Sequence, residues 1–303
     1  MDLAEKLANV DMTADNRISE EDRKYGETHQ KAYETALSDL KGLVLYCNSM
    51  NAAQDEILGD YDGAERIYRG YTNIKDFSAD NIEKAIYAIH RRFVVFIVNY
   101  FNRTYNVELE SDKIENSLIP KKPEYDYEND KSYNERCREW KITMDNLSLC
   151  FNDVLDRILI QLDGRTFADR ALDEIIEKSI SNSVIRDTRC FEVKGDTICF
   201  KDYFCNYTDW YSSENWELRE RMKDILPALW HYETGLFYNY GYPISKILYR
   251  FSCPEAEFDG KNKLKSIKCF KNGRVDVKFT SKQSASEFAQ KYLGSVDGGG
   301  IAE

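Results

Sequence analysis

The feature that most constrains this chain is the dipeptide Asn272-Gly273, set between two alternating apolar runs. A two-residue type I′ turn needs positive φ at both central positions, and Asn-Gly supplies it most readily. The spacing therefore predicts a β-hairpin with Phe270 opposite Val275 and Lys268 opposite Val277. In that register Phe270, Val275, Val277 and Phe279 share a buried face, while Lys271, Arg274, Asp276 and Lys278 meet water. A short helix is expected next. Ser284 and Glu287 form its capping pair, Phe288, Ala289 and Tyr292 its inner face, and Gly294 its stop.

Upstream, helical periods dominate. Ala32, Ala36, Leu40, Leu43 and Val44 recur at helical spacing between His29 and Met50, so this amphipathic face implies a partner helix. Asp80 and Glu83 open a second helix, expected to run to about Asn102 with Ile82, Ile86, Ile89, Phe93, Ile97 and Tyr100 as its stripe. Its second half is apolar nearly all round, as befits a central buried helix. A polar stretch from Leu118 to Arg138 reads as an exposed loop. Leu147 to Leu162 returns to helix period and ends at Asp163-Gly164. Asp169 to Ile180 is a further helix, and Lys194-Gly195-Asp196 is a hairpin turn. The expected fold is α+β. A charged arm (1–25), helical in pieces, precedes a helical domain (26–165), and an α+β domain (166–294) with a small antiparallel sheet carries an aromatic-rich insertion (196–260) before a flexible tail (295–303).

The hairpin also carries a family likeness. Phe270-Lys-Asn-Gly-Arg-Val-Asp-Val-Lys-Phe279, followed by a short helix, resembles the closing hairpin of the domain of unknown function 4942 family. Weaker similarity extends to Asn81–Tyr105 and Leu155–Gly164, about a quarter of the chain in all. The resemblance implies an accessory protein of plasmids, prophages and phages, in a family sometimes attached to DNA adenine methyltransferases. It implies no activity. The chain departs from the family pattern at the insertion and lacks a methyltransferase portion.

Charge and motifs narrow the function. The formal charge of −11 over 303 residues argues against general nucleic-acid binding, although eight basic residues and one acidic residue lie between Lys261 and Lys282. Lys268, Lys271, Arg274 and Lys278 are candidates for contact with an anion or an acidic surface, with nucleic acid not excluded. Residues 1–22 show no apolar run, so neither a secretory signal nor a membrane span is expected, and the eight scattered cysteines suit reduced thiols in a host cytoplasm. There is no phosphate-binding loop, dinucleotide fingerprint, His-Glu-x-x-His or nucleophile elbow. His29, His90 and His231 are widely separated, and a structural role is expected for His90. Cys199, Cys205, Cys253 and Cys269 lack the Cys-x-x-Cys knuckle of a zinc site, so no metal and no cofactor are expected.

Two functions from different classes follow. The preferred one is a phage or mobile-element protein, not an enzyme, that inhibits a bacterial immune or restriction complex by binding, anti-Gabija inhibition being one form and a homo-oligomer one possible assembly. Its candidate partner-binding residues are Trp210, Tyr211, Trp216, Tyr238 and Tyr240, because Tyr and Trp dominate interface hot spots, the equal alternative being that the aromatic zone fills the core of a small subdomain. The alternative is a DNA-acting or nuclease-like enzyme. Glu192 and Lys194 on a strand, with Asp187 or Asp173 upstream, match the residue types of a metal-dependent nuclease.

Overall fold

A computed structural model describes residues 17–57, 79–125, 132–186, 188–201, 203–210, 213–237, 254–258 and 262–295. The fold is α+β, helical in its first half and built on antiparallel sheets in its second. Contacts divide it into two compact units, one of residues 1–103 and 109–164, the other of 104–108 and 165–303. Among the described residues, no helix is long and apolar enough to cross a membrane.

The first unit holds α1 (Glu20–Ile57), nearly all of α2 (Ala79–Tyr105), α3 (Ser111–Leu118), α4 (Tyr133–Asn146) and α5 (Phe151–Gln161). Ser19 starts α1. Its hydroxyl accepts the Asp22 N–H (3.1 Å) and the Asp22 carboxylate accepts the Ser19 N–H (2.6 Å), closing both ends of the first turn. The helix therefore begins inside the stretch expected to be a charged arm. Its buried positions are Asp22, Gly26, Tyr33 and Leu37. At Gly26 an added Cβ would lie 2.3 Å from the Phe151 ring, so α1 and α5 meet where only glycine fits. The core of the unit is α2, whose Val94, Ile97, Val98 and Phe101 are wholly buried.

The expected loop at 118–138 is only partly loop. α3 ends at Leu118, and α4 opens at a capping box in which Ser132 accepts the Glu135 N–H and Glu135 accepts the Ser132 N–H. Periodicity does not reveal α4, because it buries only Trp140 and Met144. Trp140 is held by its indole N–H, 2.8 Å from the Pro120 carbonyl.

In the second unit α6 (Phe167–Asn182), α7 (Glu220–Thr234) and α8 (Lys282–Leu293) contribute to the core of a five-stranded antiparallel sheet. After β1 (Val184–Ile185) and β2 (Thr188–Arg189), the chain makes β3 (Phe191–Lys194), β4 (Thr197–Phe200), β5 (Cys205–Trp210) and β6 (Ser213–Leu218). Then follow β7 (Glu255–Glu257), β8 (Leu264–Cys269) and β9 (Val275–Phe279), and the large sheet runs β3-β4-β9-β8-β7. β1 with β2 and β5 with β6 form separate two-stranded ribbons. The β3–β4 turn is Gly195-Asp196, with Gly195 at φ +61 and Lys194 paired to Thr197. β4 pairs with β9, so the aromatic-rich segment is woven into the main sheet. α8 is capped by Ser281, whose hydroxyl accepts the Ser284 N–H at 3.1 Å, one turn before the expected cap.

The hairpin forms, but its register is one residue away from the expected one. Cys269 pairs with Val275, Lys268 with Asp276 and Ile267 with Val277. Gly273 has φ +85 while Asn272 does not enter the left-handed region, so the loop is a three-residue turn closed by a glycine bulge. A one-residue slip exchanges the faces of a strand. Cys269 and Ile267 consequently join Val275, Val277 and Phe279 in the core, and Phe270 turns to the other face beneath Arg274, 3.8 Å from its ring centre. A Cβ at Gly273 would also lie 3.0 Å from the Tyr203 nitrogen. Gly273→Ala is expected to cost about 1–2 kcal/mol, read as a fall of several degrees in the thermal midpoint.

Candidate functional site

The face of the large sheet opposite its apolar core carries a ladder of charges. One row runs Glu192, Cys199, Asp276, Lys268, Glu255, and the next runs Lys194, Thr197, Lys278, Ser266, Glu257. Acidic and basic residues share this face and pair in places. Lys268 lies 3.4 Å from Glu255, and Arg274 lies 3.1 Å from Asp276 while covering Phe270. Lys278 is exposed, whereas Lys271 leaves this face altogether. The four basic candidates do not make one patch.

Glu192 sits on the charged face, with its carboxylate 2.8 Å from Lys201 and 3.2 Å from Lys194. These two ammonium groups, Lys201 foremost, hold its pKa below the usual carboxylate range. Asp173 lies on α6, whose Leu172, Ile175 and Ile176 pack on the apolar core, and its carboxylate is 2.5 Å from Arg165. The structure therefore does not bring Asp173 to Glu192; Asp187 lies outside the described residues. Among the described residues no group of three or more His, Cys, Asp or Glu side chains converges. Cys199, Cys205 and Cys269 are buried, and Cys253 lies outside the described residues. The burial of Cys199 beside Asp276 pushes its thiol up to about 11.

The aromatic candidates divide. Strand alternation in β6 turns Trp216 and Leu218 inward, so Trp216 is a core residue, packed beside Tyr207 across the ribbon. Trp210 ends β5, but its side chain lies outside the described residues, as do Tyr211, Tyr238 and Tyr240.

Two other places concentrate exposed chemistry. In the second unit the tip of the hairpin seats against the segment from Tyr203 to Tyr207. The Gly273 carbonyl accepts the N–H groups of Phe204 (2.9 Å) and Cys205 (3.2 Å), and Tyr203 takes φ +62, a conformation rare for a bulky side chain. Beside this seat is a cavity of about 550 Å³ lined by Tyr203, Asn206, Tyr207, Arg219, Lys271 and Asn272, together with Cys205 and Gly273. Arg219 lies 5.2 Å from the Tyr203 ring centre and Lys271 lies 4.5 Å from that of Tyr207, each a cation over an aromatic face.

In the first unit α1 carries the second place. Around position 43, Leu40, Leu43, Val44, Leu45 and Tyr46 put apolar side chains on most sides of an otherwise polar helix, and such an apolar stretch is normally enclosed. Here it is not. Leu45 is 70% exposed, Tyr46 63% and Leu43 41%, and Ile142 of α4 is 57% exposed. A groove of about 570 Å³ runs beside them, with Leu40, Val44, Leu45, Ile82 and Ile86 as its apolar lining and Lys41, Asn48, Glu83, Lys141 and Asp145 as its polar lining. The stripe seen in the sequence is thus real, but Ala32, Ala36 and Leu43 face water, while Tyr33 and Leu37 face the core.

Comparison with known protein families, with curated proteins and with solved structures returns no match to this chain.

Proposed function

We propose that this chain acts by protein–protein binding rather than by catalysis, as a mobile-element inhibitor of a bacterial immune or restriction complex. The observation that supports binding is the exposed apolar side chains of α1, where Leu43, Leu45 and Tyr46 stand in water beside a groove of mixed apolar and charged lining. Large exposed apolar patches mark interaction sites, and burying one Leu or aromatic side chain in a partner contributes roughly 1.5–3 kcal/mol. The mobile-element origin and the host cytoplasm rest on the likeness of the hairpin to the domain of unknown function 4942 family. Inhibition of the anti-Gabija kind is one form the activity would take.

The test is co-purification of the tagged full chain from a host carrying several defence systems, scored together with phage survival. A defence complex should be retained and phage survival should rise. The paired substitution Leu45→Asp with Tyr46→Asp should weaken retention at least tenfold with an unchanged thermal midpoint, because both side chains are already solvated. Retention unaffected by that pair, or self-association in place of a defence partner, would refute the inhibitor reading.

A further inference from the structure

Two buried cysteines from distant strands meet at the neck of the hairpin. Cys205 opens β5, and its backbone N–H donates to the Gly273 carbonyl at 3.2 Å. Its Sγ lies 3.4 Å from the Phe270 carbonyl oxygen and 3.4 Å from that of Arg274. Those two residues close the turn, the Phe270 N–H donating to the Arg274 carbonyl at 2.9 Å. Cys269 ends β8 immediately before Phe270, pairs with Val275 and turns its side chain into the same apolar core as Cys205. The two thiols are hydrogen-bonded to each other, and each residue is 2% exposed.

That contact gives the two sulfurs different roles. The hydrogen bond from the Cys269 thiol holds the Cys205 pKa below the ordinary thiol value in spite of burial, and the same bond, with burial, pushes Cys269 up. Cys150 and Cys199, which lie beside Asp153 and Asp276 rather than beside a thiol, are pushed up by their burial. The thiolate is the reactive form of cysteine, so nucleophilic attack falls to Cys205 and Cys269 is placed to resolve what forms there. Cys205 is also among the residues lining the cavity of about 550 Å³ at the hairpin tip, where Tyr203 is 61% exposed, which gives a small oxidant a route from solvent.

We propose that Cys205 and Cys269 form an oxidisable pair that a peroxide closes into a disulfide, tying the start of β5 to the end of β8. The Cys205 sulfur attacks one peroxide oxygen, the O–O bond breaks, and the departing hydroxide takes up a proton to become water, leaving Cys205 as the sulfenic acid. The Cys269 sulfur then attacks the Cys205 sulfur, the S–O bond breaks, and the hydroxyl leaves as water with the Cys269 proton. Two thiols are oxidised to one disulfide, and one hydrogen peroxide is reduced to two waters. The pair lies in the second unit and is independent of the apolar side chains on α1.

Treatment of the folded full chain with hydrogen peroxide, followed by alkylation of the remaining thiols and peptide mass mapping, tests this. The parent should lose two hydrogens and yield one linked pair of peptides, carrying Cys205 and Cys269, which dithiothreitol separates again. In urea, where short loops close most readily, Cys205 should pair mainly with Cys199 instead. Cys269→Ser should abolish the link and leave a sulfenic acid at Cys205 that dimedone traps, whereas Cys199→Ser should leave the link intact. The mapping of the parent decides the matter even if a variant does not fold. Cys205 and Cys269 both still free after peroxide, Cys269 linked to Cys253, or Cys205 linked to Cys199 in the folded chain would overturn the proposal.

Discussion

Replacing Glu233 with alanine is expected to lower the stability of the second unit by about 3 kcal/mol, seen as a drop on the order of 10 °C in its thermal midpoint. Glu233 lies in the last turns of α7 and is buried. Its Oε1 accepts the Asn262 N–H at 2.7 Å, and its Oε2 accepts those of Lys263 and Leu264 at 2.8 Å each. One carboxylate thus satisfies three successive backbone donors where the chain enters β8. Hydrogen bonds to a charged acceptor contribute roughly 1.5–3 kcal/mol apiece, but Asn262 and Lys263 are exposed and water can replace part of the loss. The N–H of Leu264 is buried and has no such recourse. Glu233→Gln should fall between the parent and alanine, since the amide keeps one oxygen and turns an NH₂ toward a donor. A loss under 1 kcal/mol for Glu233→Ala would mean the β8 entry is held by other contacts.

That clamp shows why part of the fold was legible in the sequence and part was not. Elements with a local code emerge readily: α2 from its apolar period, the β3–β4 turn from Gly195, and the end of α5 from Asp163 and Gly164, at φ +51 and +76. The hairpin at Asn272-Gly273 was half legible. The dipeptide marks a turn, but a two-residue and a three-residue loop leave the same apolar alternation, and only the fit of Cys269 and Ile267 into the core decides between them. The outward face of α1 was misassigned for a related reason. Its apolar residues nearly encircle the helix around position 43, and periodicity cannot say which side meets a neighbour. Glu233 and the cavity at the hairpin tip left no local signal. Asn206 and Arg219 are 13 residues apart, and Lys271 reaches Tyr207 across 64. No motif spans such gaps.

Acid should destabilise the first unit through His90. The Leu149 N–H can only donate, and it donates to the Tyr33 hydroxyl oxygen at 3.0 Å. The Tyr33 hydroxyl also lies 2.8 Å from His90 Nδ1, so the buried imidazole ring is held in a hydrogen bond to a neutral partner. His90 is fully buried, and this burial, with a smaller contribution from Lys41, lowers its pKa to about 4 from an ordinary 6.5. Burial removes the water that would solvate the charged ring, and no carboxylate replaces it among its named partners. Because the folded value lies below the unfolded one, the unfolded chain takes up the proton first as pH falls. The stabilisation is complete above pH 6.5 and declines toward pH 4, where about 3 kcal/mol has been lost. His231, in the second unit and also lowered by burial, acts in the same direction, so the two must be separated. Nuclear magnetic resonance titration should place the His90 midpoint near 4, and the stability advantage of the parent over His90→Gln in urea should shrink by about 3 kcal/mol between pH 7 and pH 4. A His90 midpoint near 6.5, or an advantage that does not change with pH, would show that the Tyr33–His90–Leu149 chain does not hold the ring neutral.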